Sequence, residues 1–412
     1  MDKIIKELHE LEELMLQCMK CGTCQSDCPL YRTDQRESSV ARGKISLLQS
    51  VYEGRIEDAG EILEHLDKCL LCGRCKHVCP SGVRTDEIFL KGREVLRKIK
   101  KLPKWQKSIL KIAMEKPELM AKLSPLMHIG LKFGSKKIKD DIYKPLLPML
   151  HGRTVVSVKS KPFTTEFGGF HKAENERDRV LFYPGCAINF IYTDWGEAAV
   201  KVLNHFGVSV HVPHTNICCG IPAATMGELA LYKKMVTENL DLFANFDVSH
   251  IITACPTCRY GLYEMGEKQT KRRSKADTTD ILVYLKEVLK IDLRSDRTGT
   301  STVHFPCHYQ QEKHGVVESF VKENTSTEYK KLRNQSCCGF AGTFSMKYYD
   351  RSKGFAMSKT DEMADKGADV VYTPCPGCAM QLTDGVTQKG ADIEVLHPIV
   401  EIYRQIRKND EI

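Results

Sequence analysis

FYPGC at residues 182–186, ICCGIP at 217–222 and ACPTC at 254–258 set out a pattern that HFPCH at 304–308, SCCGFAG at 336–342 and PCPGC at 374–378 repeat. Each copy has a lone cysteine, an adjacent pair followed by glycine, and a CxxC. The first copy supplies Cys186, Cys218, Cys219, Cys255 and Cys258, and the second supplies Cys307, Cys337, Cys338, Cys375 and Cys378. Equivalent cysteines lie 121, 119 and 120 residues apart, so the repeat is the size of a lobe. Short apolar runs lead into the motifs at residues 180–183, 208–212 and 251–252, and again at 303–305 and 370–372. Helical patterns over 194–206, 228–246 and 280–289 fill the gaps. Alternating strands and helices predict two α/β lobes related by internal duplication. Each would have a mostly parallel sheet and a ligand site off the carboxyl ends of its strands.

Four thiolates saturate a tetrahedral metal or a cubane cluster, so a fifth in each copy implies a cofactor that is larger, distorted or exchanges a ligand. A structural zinc site leaves that fifth cysteine without a purpose. Gly220 and Gly339, directly after the pairs, allow a tight turn.

Upstream, Cys18, Cys21, Cys24 and Cys28 spell CxxCxxCxxxCP, and Cys69, Cys72, Cys75 and Cys79 spell it again. This is the double run of a bacterial-type two-cluster ferredoxin, in which the fourth cysteine of each run serves the other cluster. Two cubane [4Fe-4S] clusters follow, one on Cys18, Cys21, Cys24 and Cys79, the other on Cys69, Cys72, Cys75 and Cys28. Gly22 and Gly73 would let backbone approach inorganic sulfide. A helix carrying Ile4, Ile5, Leu8, Leu11, Leu14 and Met15 on one face precedes the first run. The stretch 38–66 between the runs reads as helical insertion, so this domain is α-helical.

The chain has 412 residues, 18 cysteines and a net charge of +8. Its first residues carry no apolar signal core, which predicts a cytoplasmic chain whose thiols stay reduced and serve metals before disulfides. Charge is concentrated: residues 97–161 hold 17 Lys or Arg against Glu115, Glu118, Asp140 and Asp141. The basic stretch lacks interleaved aromatics and no nucleic-acid reader is signalled. Residues 104–150 read as short amphipathic helices broken at Pro117, Pro125, Pro145 and Pro148. That pattern suits peripheral contact with the cytoplasmic membrane face, docking of an acidic partner, or an interdomain linker. The division expected is a ferredoxin domain at 1–100, the basic segment at 101–178, and lobes at 179–295 and 296–412. Fold class is thus α+β multidomain. No GxGxxG follows a strand, so no flavin is expected on this chain.

The full order, two ferredoxin runs and then two lobes with lone Cys, CCG and CxxC, resembles the CCG-domain iron–sulfur proteins. It is similar to the CCG-bearing chain of heterodisulfide reductases and to the iron–sulfur subunits of glycolate oxidase, anaerobic glycerol-3-phosphate dehydrogenase and lactate-utilisation systems. PCH at 306–308 and CCGFAGTFSMK at 337–347 look like the branch with flavoprotein partners. Cys255 and Cys258 depart from the glycerol-3-phosphate branch, whose first CxxC is often incomplete.

The resemblance implies one or two further, non-cubane [4Fe-4S] clusters in the lobes. It also implies an electron-transfer subunit working between an FAD-dependent dehydrogenase of the lactate, glycolate or glycerol-3-phosphate type and a membrane quinone or other carrier. A quinone-reducing membrane subunit or b-type cytochrome is then a further partner. The alternative it implies is catalytic reduction of a disulfide of the coenzyme M and coenzyme B kind at the lobe clusters. His308, beside Cys307, is the candidate proton donor for that chemistry.

Overall fold

The computed structural model describes residues 2–56, 58–147, 152–215, 217–309 and 311–410, the side chains of 2, 3 and 311–314 excepted. Its contacts form two compact units that are discontinuous in sequence. One comprises Met1–Leu110, Ile221–Tyr232 and Gly339–Phe355; the other comprises Lys111–Gly220, Lys233–Cys338 and Ala356–Ile412.

The first unit is helical. Helices Asp2–His9, Ala41–Tyr52, Ala59–Asp67 and Thr85–Arg97 enclose a core of Leu8, Met15, Ile45, Leu48, Leu63, Leu66, Ile88 and Val95. The insertion between the cysteine runs is two helices, because the chain turns at Gly54 with φ +72° and restarts where the Asp58 carboxylate accepts from the N–H groups of Gly60 and Glu61. Arg93 is buried in this unit. Its guanidinium donates to the carbonyls of Leu66 at 3.1 Å, Cys69 at 2.6 Å and Thr225, tying the second cysteine run to the helix that follows it.

The second unit begins within the basic segment, at Lys111, and here the structure corrects the sequence reading. Helix Pro117–Phe133 runs straight through Pro125. Proline has no N–H for the Ala121 carbonyl, and the Ser124 hydroxyl takes that role by donating to it at 2.8 Å. Beyond the helix lies an antiparallel pair instead of more helix: β1, Ser135–Lys139, pairs with β2, Ile142–Pro145, and β2 pairs with β3, Val155–Val156. The turn at Asp140 is left-handed, with φ +36°. Pro145 ends β2, and Pro148 lies outside the described residues.

The helix is also inverted. Ser124 and His128 face inward, toward the carbonyls of Ser160 and Val158, while Leu119, Leu123, Leu126, Met127, Ile129 and Phe133 stay exposed, Phe133 at 87%. No helix among the described residues is long and apolar enough to cross a membrane.

Two sheets follow. One runs in the order β4-β6-β5-β7-β8, with β4 Gly169–His171, β5 Asp178–Phe182, β6 Val208–Val212, β7 His250–Thr253 and β8 Asp277–Asp280. The other runs β10-β9-β11-β12, with β9 Thr300–Val303, β10 Glu328–Tyr329, β11 Val370–Tyr372 and β12 Glu394–Leu396. Every pairing is parallel except β4 on β6, and the path β6-β5-β7-β8 is followed again by β10-β9-β11-β12. Val180, Phe182, Val208, Val210 and Ile252 of the first sheet share one apolar core with Val303, Val370, Tyr372 and Leu396 of the second. Trp195 meets the His397 ring at 4.8 Å and Tyr403 donates to Glu197 at 2.9 Å, so the two α/β halves are packed as one body.

Replacing Arg93 with Met should strand the three carbonyls it serves. We expect a loss of about 3 kcal/mol, read as a lowered urea midpoint for the first unit.

Candidate metal centres

All eight cysteines of the N-terminal runs lie in the first unit, around two small cavities. Cys28, Cys69, Cys72 and Cys75 line one, together with Pro29, Lys44 and Phe89. Cys18, Cys21, Cys24, Cys75 and Cys79 line the other. Both runs therefore contribute sulfurs to each cavity. Four sulfurs about one void are the donor set of a four-iron cube or of a tetrahedral metal. Gly22 (φ +89°) and Gly73 (φ +70°) are in the left-handed region. A Cβ on Gly73 would meet only His77, at 3.9 Å, so glycine is needed there for backbone conformation and not for space.

The protein around these sulfurs sets their ionisation. Burial pushes the Cys28 thiol up to about 11, and burial followed by the neighbouring Cys69 and Cys72 pushes Cys75 well up. Cys21 is exposed, and a hydrogen bond with the Thr23 hydroxyl at 3.3 Å holds it below its ordinary value. Two buried cations offset the sulfur charge. Lys44 donates to the Ser39 carbonyl, and Arg93 donates to that of Cys69. Neither cation carried any motif signal.

The ten remaining cysteines are all in the second unit, at the carboxyl ends of strands or in the loops beside them. In the first lobe Cys186 lies 3.9 Å from Cys218, Cys219 is the next residue along the chain, and the thiols of Cys219, Cys255 and Cys258 are near enough to act on one another's ionisation. Gly185 makes this closeness feasible, since a Cβ there would fall 2.6 Å from the Cys258 Sγ. In the second lobe Cys338 lies 3.4 Å from Cys378, whose ionisation Cys375 also influences. Burial pushes the Lys359 ammonium below its ordinary value, and the charges of Cys338, Cys337, Cys307 and Cys378 oppose that fall. The two sets come near enough for the Cys255 and Cys375 thiols to act on each other's ionisation. Hydrogen bonding to Cys218 and then burial push the Cys186 thiol up, whereas the neighbouring Cys255 and Cys378 thiols hold Cys375 low.

His308 turns toward the other lobe. Its Nδ1 lies 3.0 Å from the Thr257 Oγ1, and its ring stacks on Tyr260 at 4.8 Å. Thr257 in turn lies 3.7 Å from the Cys375 Sγ, so the histidine reaches the second CxxC through a hydroxyl. The sequence reading missed His304, which offers a ring nitrogen within 4.8 Å of the sulfurs of Cys338 and Cys378. It stands where the first copy has Tyr183, a difference visible only by laying one copy on the other.

Known proteins carry the same architecture. The cysteine-rich CCG domain matches residues 180–263 and 301–383, and the 4Fe-4S dicluster domain matches 14–83. The chain is 27% identical to the probable glycolate oxidase iron-sulfur subunit of Bacillus subtilis, over 88% of this chain and 87% of that one. It is 25% identical to the glycolate oxidase iron-sulfur subunit of Escherichia coli, over 88% of each. It is also 30% identical to lactate utilization protein A of Bacillus cytotoxicus, over 46% of this chain and 84% of that one.

In the folded, iron-free protein, the alkylation rate of Cys21 should rise at lower pH than that of Cys28, which should react fully only toward pH 11. Replacing Thr23 with Val should shift the Cys21 profile upward. Mass spectrometry of each alkylated cysteine across pH checks both.

Proposed function

The chain belongs to the family of CCG-domain iron–sulfur proteins, and on that premise we propose that it is the electron-transfer subunit of a multi-subunit oxidoreductase. It would relay electrons from an FAD-dependent dehydrogenase acting on a small hydroxy acid or polyol phosphate to a membrane quinone or similar carrier. The observation that carries this reading is that both N-terminal runs send sulfurs to each of two cavities, Cys18, Cys21, Cys24, Cys75 and Cys79 to one and Cys28, Cys69, Cys72 and Cys75 to the other, from which we take Cys18, Cys21, Cys24 and Cys79, and Cys69, Cys72, Cys75 and Cys28, as the two ligand sets. These would hold two cubane clusters. The two five-cysteine lobe sets, taken as products of an internal duplication, would hold up to two non-cubane ones.

When bound, such clusters supply reversible one-electron storage. The chain's own residues do the rest. Leu8, Met15, Ile45 and Leu48 exclude water from the N-terminal centres, and Lys44 and Arg93 balance sulfur charge where solvent cannot. The inverted helix Pro117–Phe133 supports a docking role, because it spends leucines on solvent and polar groups on its own fold. Together with Lys116, Lys122, Lys132, Lys136, Lys137 and Lys139, this face suits an anionic membrane surface.

A second reading, disulfide reduction at the lobes, is favoured by the completeness of both five-cysteine sets and by the mutual influence of the Cys255 and Cys375 thiols across the lobes. Partner identity separates the two. Co-purification with an FAD-binding dehydrogenase supports the relay, and a b-type cytochrome partner together with heterodisulfide reduction supports the reductase.

Anaerobically purified protein should carry four centres, about 16 iron atoms with matching sulfide. A count of about eight would empty both lobes and sink the proposal for them. Replacing Leu126 and Phe133 with Glu should abolish sedimentation with vesicles containing anionic lipid while leaving the iron content unchanged. Retained binding would remove the membrane assignment.

A further inference from the structure

The two lobes repeat each other in strand order, so each serves as the reference for the other. His304 follows β9 as Tyr183 follows β5, and the backbone N–H of each donates to the neighbouring strand, His304 to Tyr372 at 2.9 Å and Tyr183 to Ile252 at 2.8 Å. Lys359 and Asn239 are equivalent too, since each stands sixteen residues before the first cysteine of its CxxC, on the helix after the Cys-Cys pair. At both positions the chemistry differs. The first lobe has a phenol whose hydroxyl is committed to the Ile217 carbonyl at 2.6 Å, and an amide donating to the Cys218 carbonyl at 3.1 Å. The second has an imidazole and an ammonium.

Both second-lobe groups are 1% exposed. Lys359 donates to the Asn334 carbonyl at 2.7 Å, three residues before Cys337. Neither ring nitrogen of His304 has a hydrogen-bond partner among the described residues, although the ring comes within 4.8 Å of the Cys338 and Cys378 sulfurs. A buried cation and an imidazole left without a partner are costly in an apolar core, unless something negative stands beside them. Among the described residues the first lobe offers no matching cation: Arg259, next to Cys258, is neutralised by Glu264 at 2.5 Å.

We propose that Lys359 and His304 make the second-lobe centre the stronger electron acceptor of the two, so that an electron shared between the lobes rests on the second. The inference rests on the reading that an iron–sulfur centre occupies each lobe. One-electron reduction adds one negative charge to such a centre. A fixed ammonium in a low-dielectric pocket favours the reduced form, and so does a free imidazole N–H close enough to turn to a cluster sulfur. The first lobe, with Asn239 and Tyr183 in those places, offers neither. Lys359 and His304 are thus positioning residues that set a potential, and they take no part in bond making.

The test is a redox titration followed by electron paramagnetic resonance on the anaerobically purified full chain, with iron and sulfide counted on the same samples. A Cys338→Ser variant identifies the second-lobe signal by removing it. Lys359→Met keeps the side-chain length and removes the charge. It should leave iron and sulfide unchanged while lowering the ratio of reduced to oxidised second-lobe centre at least tenfold at fixed ambient potential, about 59 mV for one electron. The first-lobe signal should not move. His304→Tyr, which installs the first-lobe residue, should shift the second-lobe signal the same way, and Lys359→Arg should restore the parent value. An unmoved potential at full iron content in both variants overturns the inference. So does loss of second-lobe iron in His304→Tyr alone, which would make His304 a ligand. Iron at about eight atoms in the parent protein overturns the underlying reading of the lobes and this inference with it.

Discussion

Everything in this protein is arranged around the cost of removing sulfur from water. A thiolate in an apolar interior is unstable by itself, and burial drives the thiols of Cys28 and Cys75 upward accordingly. Eighteen cysteines, ten of them past residue 180, are nevertheless drawn into clusters of neighbours. Only a positively charged inorganic core or fixed protein cations can compensate that concentration of potential anions. Lys44 and Arg93 in the helical unit and Lys359 in the α/β unit are buried cations that the chain supplies.

The same cost explains the architecture. Sulfurs that must converge are placed on turns and strand ends, where side chains can point into a common space while regular structure satisfies the backbone around it. In the α/β unit the cysteines follow β5, β7, β9 and β11 or sit in the loops beside them, and the apolar strands Val180–Phe182 and Val370–Tyr372 fill the core behind. In the helical unit Arg93 holds the carbonyl of Cys69 with a side chain from the next helix, so ligand geometry and fold stability share one residue.

Charge distribution separates inside from outside. The surplus of lysine along residues 97–161 lies on the surface, next to the exposed leucines of Pro117–Phe133. Lys44 and Lys359, each beside cysteines, lie inside. A basic apolar surface and a buried ammonium do different work: one attracts a partner through water, and the other acts on a centre that water does not reach.

Motif spacing alone determined the repeated CCG pattern and the family, because sulfur ligation demands residue type and spacing that chance does not reproduce over eighteen positions, and the alternation of short apolar runs with helical patterns determined the parallel α/β character. Strand and helix positions around Cys186, Cys255 and Cys375 were legible for the same reason that any buried strand is, as short apolar runs ending at a turn. Only the tertiary structure decided which way the helix Pro117–Phe133 faces, since its periodicity is identical whether leucines point in or out, and the deciding contacts come from Ser157, Val158 and Ser160, farther along the chain. It alone brought Cys255 within electrostatic reach of Cys375, set His304 beside the Cys338 and Cys378 sulfurs, and buried Lys359 on the carbonyl of Asn334, three residues before Cys337. A lone histidine and a helical lysine carry no spacing signal, and their meaning comes from the low-dielectric surroundings that folding creates around them.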